Sequence, residues 1–379
     1  MSHIALNAYK VASGGILGYI TRIVTDLPRL FPEHQYTIFL SEKLDYLPQY
    51  SNVTHVYLSD NGGGRFDRFR WEQFVLPKEL SSRNVDLLYT FSPFDIYLSK
   101  CPTIVRLANM APFDPLAIKT EKHFFGKMRL YILALFSRIA TFTADRILVQ
   151  SSYAADILIE ERGFRKDKTI GIDRGFEVSD IVSGNSKTPA VEQKYILCVS
   201  HIFRYKMLIE LVQEYANAYS NDNSLPKLLI AGEDKDKEYA VEINEAIAEL
   251  KMEENIVMLG GIPREHLYNL IRGSELSVFS SLVETFPTTL LEQMSLGAVL
   301  VVAKSGVMPK FCGDSVVYYE PHLPGSLASQ LGDLIGNTEL KLELSNRAKQ
   351  RFLELDVTWD SAFKKRQALF DEVIFEARG

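Results

Sequence analysis

Cysteine is scarce in this chain of 379 residues: Cys101, Cys198 and Cys312 stand far apart, odd in number and without a CxxC pair. That pattern reads as reduced intracellular thiols, not as a disulfide framework or a zinc site. No apolar run reaches about 18 uncharged residues, so no segment is expected to span a membrane. The opening residues Met1–Asn7 read as a short strand and lack the apolar core of a signal peptide. There is no basic excess: 42 Lys and Arg face 48 Asp and Glu, for a net charge of −6. A general nucleic-acid partner is therefore not expected. No G-x-G-x-x-G follows the first strand, which disfavours an NAD-dependent dehydrogenase. The nearest approach to a metal-binding D-x-D is Asp234-Lys235-Asp236 on a probable surface loop, so no metal site is implied.

What is present is an alternation of strand and helix patterns in both halves, the mark of parallel α/β sheets. Strands are expected at His3–Leu6, Tyr36–Leu40, His55–Leu58, Asp86–Phe91, Thr103–Leu107 and Arg146–Gln150, with helices at Gly15–Leu30, Phe66–Leu80, Glu121–Thr141 and Ser151–Arg162. The second half repeats the scheme, with strands at Tyr195–Ser200, Lys227–Gly232, Asn255–Gly260, Glu275–Ser280, Val299–Ala303 and Ser315–Tyr319. Its helices are expected at Lys206–Tyr219, Lys237–Lys251, Arg264–Arg272 and Thr288–Leu296, and two more close the chain at about Glu339–Glu354 and Trp359–Ala377. The polar, breaker-rich stretch Glu177–Gln193 reads as a linker. The expected division is an N-terminal Rossmann-like domain over 1–176, the linker over 177–193, a C-terminal Rossmann-like domain over 194–358, and a closing helix over 359–379. Doubly wound sheets bind ligands at the carboxyl ends of their strands, so a cleft between two such domains is expected to hold the ligand.

The run Ser280–Gly297 says most about chemistry. Glu284 and Glu292 stand eight positions apart in it. A strand-like segment leads in, and Leu290, Leu291 and Met294 are spaced for one buried helix face. Glu284 is then expected on the loop after a strand, and Glu292 about a turn inside the next helix. Pro287 suits a first helical position. Thr288 and Thr289 bring hydroxyls and N–H groups to a helix start, which favours a phosphate. A phosphate with a carboxylate on either side describes a sugar nucleotide. The plainer alternative is two solvated charges, the default for glutamate.

This run resembles the E-x7-E motif of retaining GT-B glycosyltransferases, family 4 (group 1 glycosyl transferases), with Ser281, Glu284, Phe286, Leu291, Glu292, Met294 and Gly297 in register. The resemblance implies a GT-B fold and transfer of a hexosyl or N-acetylhexosaminyl group from a nucleoside-diphosphate sugar to a glycan or lipid-linked acceptor. It implies retention of configuration, a place in cell-surface polysaccharide biosynthesis, and no cofactor or metal. Glu284 would orient the donor sugar and Glu292 would hold the ribose. Lys206 matches the phosphate-binding lysine. His201 stands where the family has Arg, and either Arg204 or His201 would replace that guanidinium. Gly14 and Gly15 would face the diphosphate. Gly261, in Met258–Pro263, belongs to a stretch whose backbone meets the base. Pro287 replaces the usual Gly and removes one N–H from the anion site. Ala108 stands where many members have His, leaving Arg106 and Asn109 as acceptor-side candidates. The closing helix would cross back to the first domain.

Relatives act at the inner membrane face, so the expected location is cytoplasmic with peripheral membrane contact. The basic, aromatic helix Glu121–Thr141 reads first as a core helix with charged edges and second as a lipid-surface helix. Arg65–Trp71 reads as an acceptor-side patch or a plain helix start. Two alternatives to a transferase stay open: a non-catalytic sugar-nucleotide-binding subunit, and a GT-B nucleotide-sugar epimerase.

Overall fold

Among the described residues, every pairing between neighbouring strands is parallel. The computed structural model describes residues 1–9, 15–41, 47–58, 64–92, 94–176 and 194–379. The expected linker 177–193 and Gly14 lie outside them.

Seven strands form one sheet: β1 His3–Asn7, β2 Gln35–Leu40, β3 Val53–Tyr57, β4 Leu87–Thr90, β5 Thr103–Leu107, β6 Arg146–Val149 and β7 Thr169–Gly171, in the order β3-β2-β1-β4-β5-β6-β7. Six form another: β8 Tyr195–Val199, β9 Lys227–Ala231, β10 Ile256–Gly260, β11 Leu276–Phe279, β12 Leu300–Ala303 and β13 Val317–Tyr319, in the order β10-β9-β8-β11-β12-β13. Central strands such as β8 and β11 are buried at every position. Parallel sheets covered by helices on both faces require such unbroken apolar strands.

The chain divides into two units. One comprises 1–108, 131–174 and 360–379, and the other 109–130 and 175–359. In the first unit the closing helix Trp359–Arg378 packs on the seven-stranded sheet. Phe370 meets Tyr89 with ring centroids 5.3 Å apart, and Arg146 pairs with Glu372 and Glu376 at 2.8 and 2.7 Å. In the second unit, the core gathers Ile196, Cys198, Leu208, Tyr215, Val278 and Leu331 between the six-stranded sheet and its helices.

Several local features depart from the sequence reading. The expected helix Phe66–Leu80 is broken into Gly64–Arg70, a π-turn over Trp71–Val75, and Leu76–Ser82. Pro77 has no N–H to continue an α-helical ladder. The π-turn buries Glu72, which accepts hydrogen bonds from Asn7 (2.9 Å) and Ser92 (3.0 Å) at the strand ends and from Arg68 (2.9 Å) one helical turn back. Strand β7 was not foreseen because three residues are too few for a period. The helix expected over Glu121–Thr141 begins at Phe124, after a separate turn Pro115–Thr120, and its large side chains are not core. The helices Met308–Cys312 and Ser326–Ile335 were not foreseen either.

Gly232 is required by close approach. After β9, a Cβ on Gly232 would stand 1.9 Å from the Ser200 carbonyl oxygen. Gly232→Ala is expected to destabilise by about 1–3 kcal/mol through forced backbone displacement. The check is a lower urea midpoint with an unchanged slope.

Candidate functional site

In the six-stranded sheet, β8 leads to β9 on one side and β11 leads to β12 on the other. The loops leaving their carboxyl ends lie at the point where strand order reverses, the usual ligand position in open α/β sheets. Two hydrogen bonds stitch these loops together. Ser280 Oγ donates to the Lys206 carbonyl at 2.6 Å, and the Leu282 N–H donates to the Tyr205 carbonyl at 2.9 Å. Met207, in the left-handed region at φ 54°, turns the chain from the Arg204–Lys206 turn into the helix Leu208–Asn221. The stitching brings the Lys206 ammonium onto Glu284 Oε1.

Both side chains of that pair are largely withdrawn from water, at 15% and 17% exposure. The ammonium also lies 5.4 Å from the Tyr205 ring centroid and 5.8 Å from that of Phe279. Burial pulls the Lys206 ammonium down, but the Glu284 carboxylate and Tyr205 outweigh it, and the group is held above its ordinary range. A charged lysine and a carboxylate at a strand end are equipped to take an anion and a hydroxyl respectively.

The helix Thr288–Leu296 follows, and among the described residues no side chain caps its start. Pro287 precedes it, and the Thr288 N–H donates to the Phe286 carbonyl at 2.9 Å. Thr288 and Thr289 are half-buried there. Phe286 is anchored edge-on against Phe311 at 5.4 Å, which holds the loop. Glu292 lies a turn inside and is only 6% exposed. Arg264, the first residue of the helix Arg264–Gly273, pairs with Glu292 Oε1, and the Tyr268 hydroxyl donates to the same oxygen at 3.4 Å. Burial pulls Arg264 down while Glu292 and Tyr268 raise it, with a net rise. The sequence reading treated Arg264 only as the start of a helix. Its one available signal was its place directly after the turn that holds Gly261. That turn is tight: a Cβ on Gly261 would meet Glu233 Cγ at 2.9 Å.

Arg204 is placed differently from expectation. Its Nη1 and Nη2 donate to the two oxygens of Glu242 at 2.9 Å each, with Asp236 at 3.6 Å and Glu238 at 3.9 Å. Its guanidinium also lies 5.1 Å from the Tyr239 ring. Lys122 joins Glu242 at 2.7 Å, and His123 joins Glu238 at 2.9 Å. The guanidinium is thus committed to an acidic helix face. The Arg204 bond holds Glu242 down to about 2, against the opposing effect of burial and with help from Lys122. His201 Nδ1 accepts from the Glu233 N–H at 3.3 Å, which leaves the ring proton on Nε2. Burial lowers His201, Glu233 raises it, and Lys235 and Lys206 lower it, with a net fall. It is therefore neutral near pH 7 and carries no charge to an anion.

In the first unit, Arg106 is 4% exposed at the end of β5 and lies 4.3 Å from the Tyr19 ring and 5.4 Å from that of Phe91. Its Nε has no hydrogen-bond partner among the described residues. Arg366 donates to the Tyr19 hydroxyl at 3.0 Å, and Arg174 lies 5.2 Å from the same ring. Burial raises the Tyr19 phenol, but Arg366, Arg106 and Arg174 overcome it and bring it to about 8. Asn109, in the second unit, is exposed, and its Oδ1 accepts from the Ala111 N–H at 3.0 Å to hold a turn. Gly15 opens the helix Gly15–Leu30.

Residues 184–351 match the family model described as glycosyl transferases group 1. One subunit of the phosphatidylinositol N-acetylglucosaminyltransferase of Arabidopsis thaliana is 22% identical over 197 residues, which is 50% of this chain. The match spans only 41% of that relative's length. Sucrose-phosphate synthase from Thermosynechococcus elongatus superposes with a TM-score of 0.75 at 15% identity, covering 99% of this chain and 100% of that one. Anabaena Alr3699/HepE in complex with UDP-glucose does so at 0.70 and 15%, covering 98% and 100%. The fold is therefore that of GT-B glycosyltransferases.

Arg204→Ala is expected to cost about 1–3 kcal/mol in unfolding free energy, read as a lower urea midpoint. Because Glu242 is depressed in the folded chain, its stabilising contribution is present above its unfolded value of 4.5 and fades as pH falls toward about 2. Acid unfolding of Glu242→Gln should accordingly show less pH dependence over that window. Tyr19, lowered on folding, adds stability as pH rises from about 8 to its ordinary 10. A tyrosinate absorbance step near pH 8 should be present in the native protein and absent from Tyr19→Phe.

Proposed function

We propose that this chain, whose residues 184–351 match the family model of group 1 glycosyl transferases, moves a hexosyl or N-acetylhexosaminyl group from a nucleoside-diphosphate sugar to a glycan or lipid-linked acceptor, with retention of configuration. The observation that carries the reading is the withdrawn Lys206–Glu284 pair at the switch point, beside an uncapped helix start. Donor binding exchanges each partner for a substrate group: the diphosphate takes Lys206, and a sugar hydroxyl takes Glu284.

The charge that grows on the departing diphosphate is met by Lys206 and by the amides at the start of Thr288–Leu296, in place of a divalent ion. Glu292, held by Arg264 and Tyr268, offers its carboxylate to the ribose hydroxyls. Thr288 and Thr289 line the anion seat, and the Gly261 turn offers backbone to the base. Because water is largely excluded around the lysine, its charge acts at higher strength than on an open surface. The acceptor attacks on the face the diphosphate leaves, which preserves the anomeric configuration. Biosynthesis of a cell-surface polysaccharide on the cytoplasmic side of the membrane is the setting this chemistry suits.

The test is a panel of UDP-, GDP- and ADP-sugars. One class should raise the melting temperature, since a ligand bound only by the native state stabilises it, and should release nucleoside diphosphate when an acceptor is supplied. Glu284→Gln should lower kcat by about 10²–10³-fold with the melting temperature nearly kept. Turnover near wild type in that variant would sink the assignment. Lys206→Ala should weaken nucleoside-diphosphate binding by about tenfold or more; unchanged affinity would remove Lys206 from the site.

A further inference from the structure

Two guanidinium groups are buried in the first unit with no carboxylate beside them among the described residues. Arg366, on the closing helix, is 0% exposed. It donates to the Tyr19 hydroxyl at 3.0 Å and the Ala362 carbonyl at 3.4 Å, and its Nε has no acceptor among the described residues. Arg106, 4% exposed near the carboxyl end of β5, makes no hydrogen bond or ion pair among the described residues and only stacks on Tyr19 and Phe91. Arg174 brings a third guanidinium to the same ring, so that the three carbons lie 4.3, 5.9 and 5.2 Å from the Tyr19 centroid for Arg106, Arg366 and Arg174. Asp173, the carboxylate next in sequence, accepts from the Ser152 N–H at 3.1 Å instead. A neutral donor joins them. In the β5–β6 pairing Arg106 stands opposite Leu148. Side chains two apart along a strand share a face, so Gln150, just past β6, falls on the face that carries Arg106. Gln150 is 6% exposed, and its Nε2 has no acceptor among the described residues. The Arg174 N–H donates to the Gln150 carbonyl at 3.1 Å, which ties the third arginine to this strand end.

Arginine cannot shed its proton near neutral pH, so these groups cannot escape the cost of burial by discharging. A buried charge without a counter-ion is expensive, and like charges gathered on one ring repel more strongly where water is excluded. An oxyanion removes both costs. Its charge offsets the guanidiniums, and its oxygens accept from Arg106 Nε, Arg366 Nε and Gln150 Nε2. A carboxylate has two oxygens in one plane, whereas a phosphate spreads its oxygens tetrahedrally and so serves donors arriving from a helix and two strands. Arg174 is half-buried, which opens this cluster to solvent on its side. The carboxyl ends of neighbouring parallel strands are also where open α/β sheets take ligands. We propose that Arg106, Gln150 and Arg366 form a binding site for a phosphate group, carried as a monoester on a small molecule or free in solution. The site lies within the first unit and uses no residue assigned to the donor, so it stands independently of the catalytic reading.

The test is thermal unfolding of the full chain in sodium phosphate against sodium chloride of equal ionic strength, with no nucleotide sugar present. Phosphate should raise the melting temperature saturably, by about 2–4 °C at tenfold excess over its dissociation constant, and chloride should not. Arg106→Met should lose that response, yet melt no lower than wild type in chloride, because it removes a buried charge at similar volume. Gln150→Leu should weaken the response several-fold, and it carries the test if Arg106→Met does not fold. Lys206→Ala should keep the response, which separates this site from the anion seat of the second unit. Glycerol 3-phosphate distinguishes the two sources: tighter binding of the ester assigns the site to a phosphorylated substrate, and tighter binding of the free ion assigns it to inorganic phosphate. The tyrosinate step of Tyr19 should also climb from about 8 toward its ordinary 10 as the anion offsets the guanidiniums that lower it. Absence of stabilisation by both phosphate species would overturn the proposal. So would an undiminished response in Arg106→Met or Gln150→Leu, or its loss in Lys206→Ala.

Discussion

The ion pair between Lys206 and Glu284 organises the functional half of this molecule. It joins two loops that leave strands running to opposite sides of one sheet, and it lies where water is largely excluded. A lysine in such a place would lose charge to desolvation were no anion beside it. The carboxylate keeps it charged. The hydrogen bonds from Ser280 and Leu282 to the carbonyls of residues 206 and 205 hold the loops in register. The placement of the pair is thus set by the backbone of the two loops.

Around this pair, cations are assigned to separate tasks. Arg264 holds Glu292 and fixes its carboxylate from the neighbouring helix. Arg204 binds Glu242 and ties the Arg204–Lys206 turn to the helix Lys237–Glu249. His201 spends Nδ1 on a backbone amide and stays neutral. In the first unit a different group gathers on Tyr19, where Arg366 and Arg106 oppose the effect of burial on the phenol. Arg204 engages its carboxylate with both prongs of the planar guanidinium, the contact that forked donors fit best.

The helix Phe124–Thr143 shows the opposite economy, exposing its large apolar residues and burying its small ones. A chain with ample core elsewhere has no packing reason to do this. Its apolar and basic periodicity was plain in the sequence, yet periodicity states only that one side of a helix is apolar. Which side faces the protein depends on what the rest of the chain places against it.

The alternation of parallel strands and helices, the loop position of Glu284 and the helical position of Glu292 were all legible in the sequence, because they follow from local period and spacing. The break at Trp71–Val75, the three-residue β7 and the short helix Met308–Cys312 were not, because they are too short to carry a period. Arg264 and Arg204 could not be told apart from solvated charges in the sequence. Their roles follow from carboxylates 28 and 38 residues away. Sequence determined where strands end and helices begin, since that is fixed by neighbours along the chain. Only tertiary structure decided which charge meets which, because electrostatic pairing depends on distance in space and on the water excluded there.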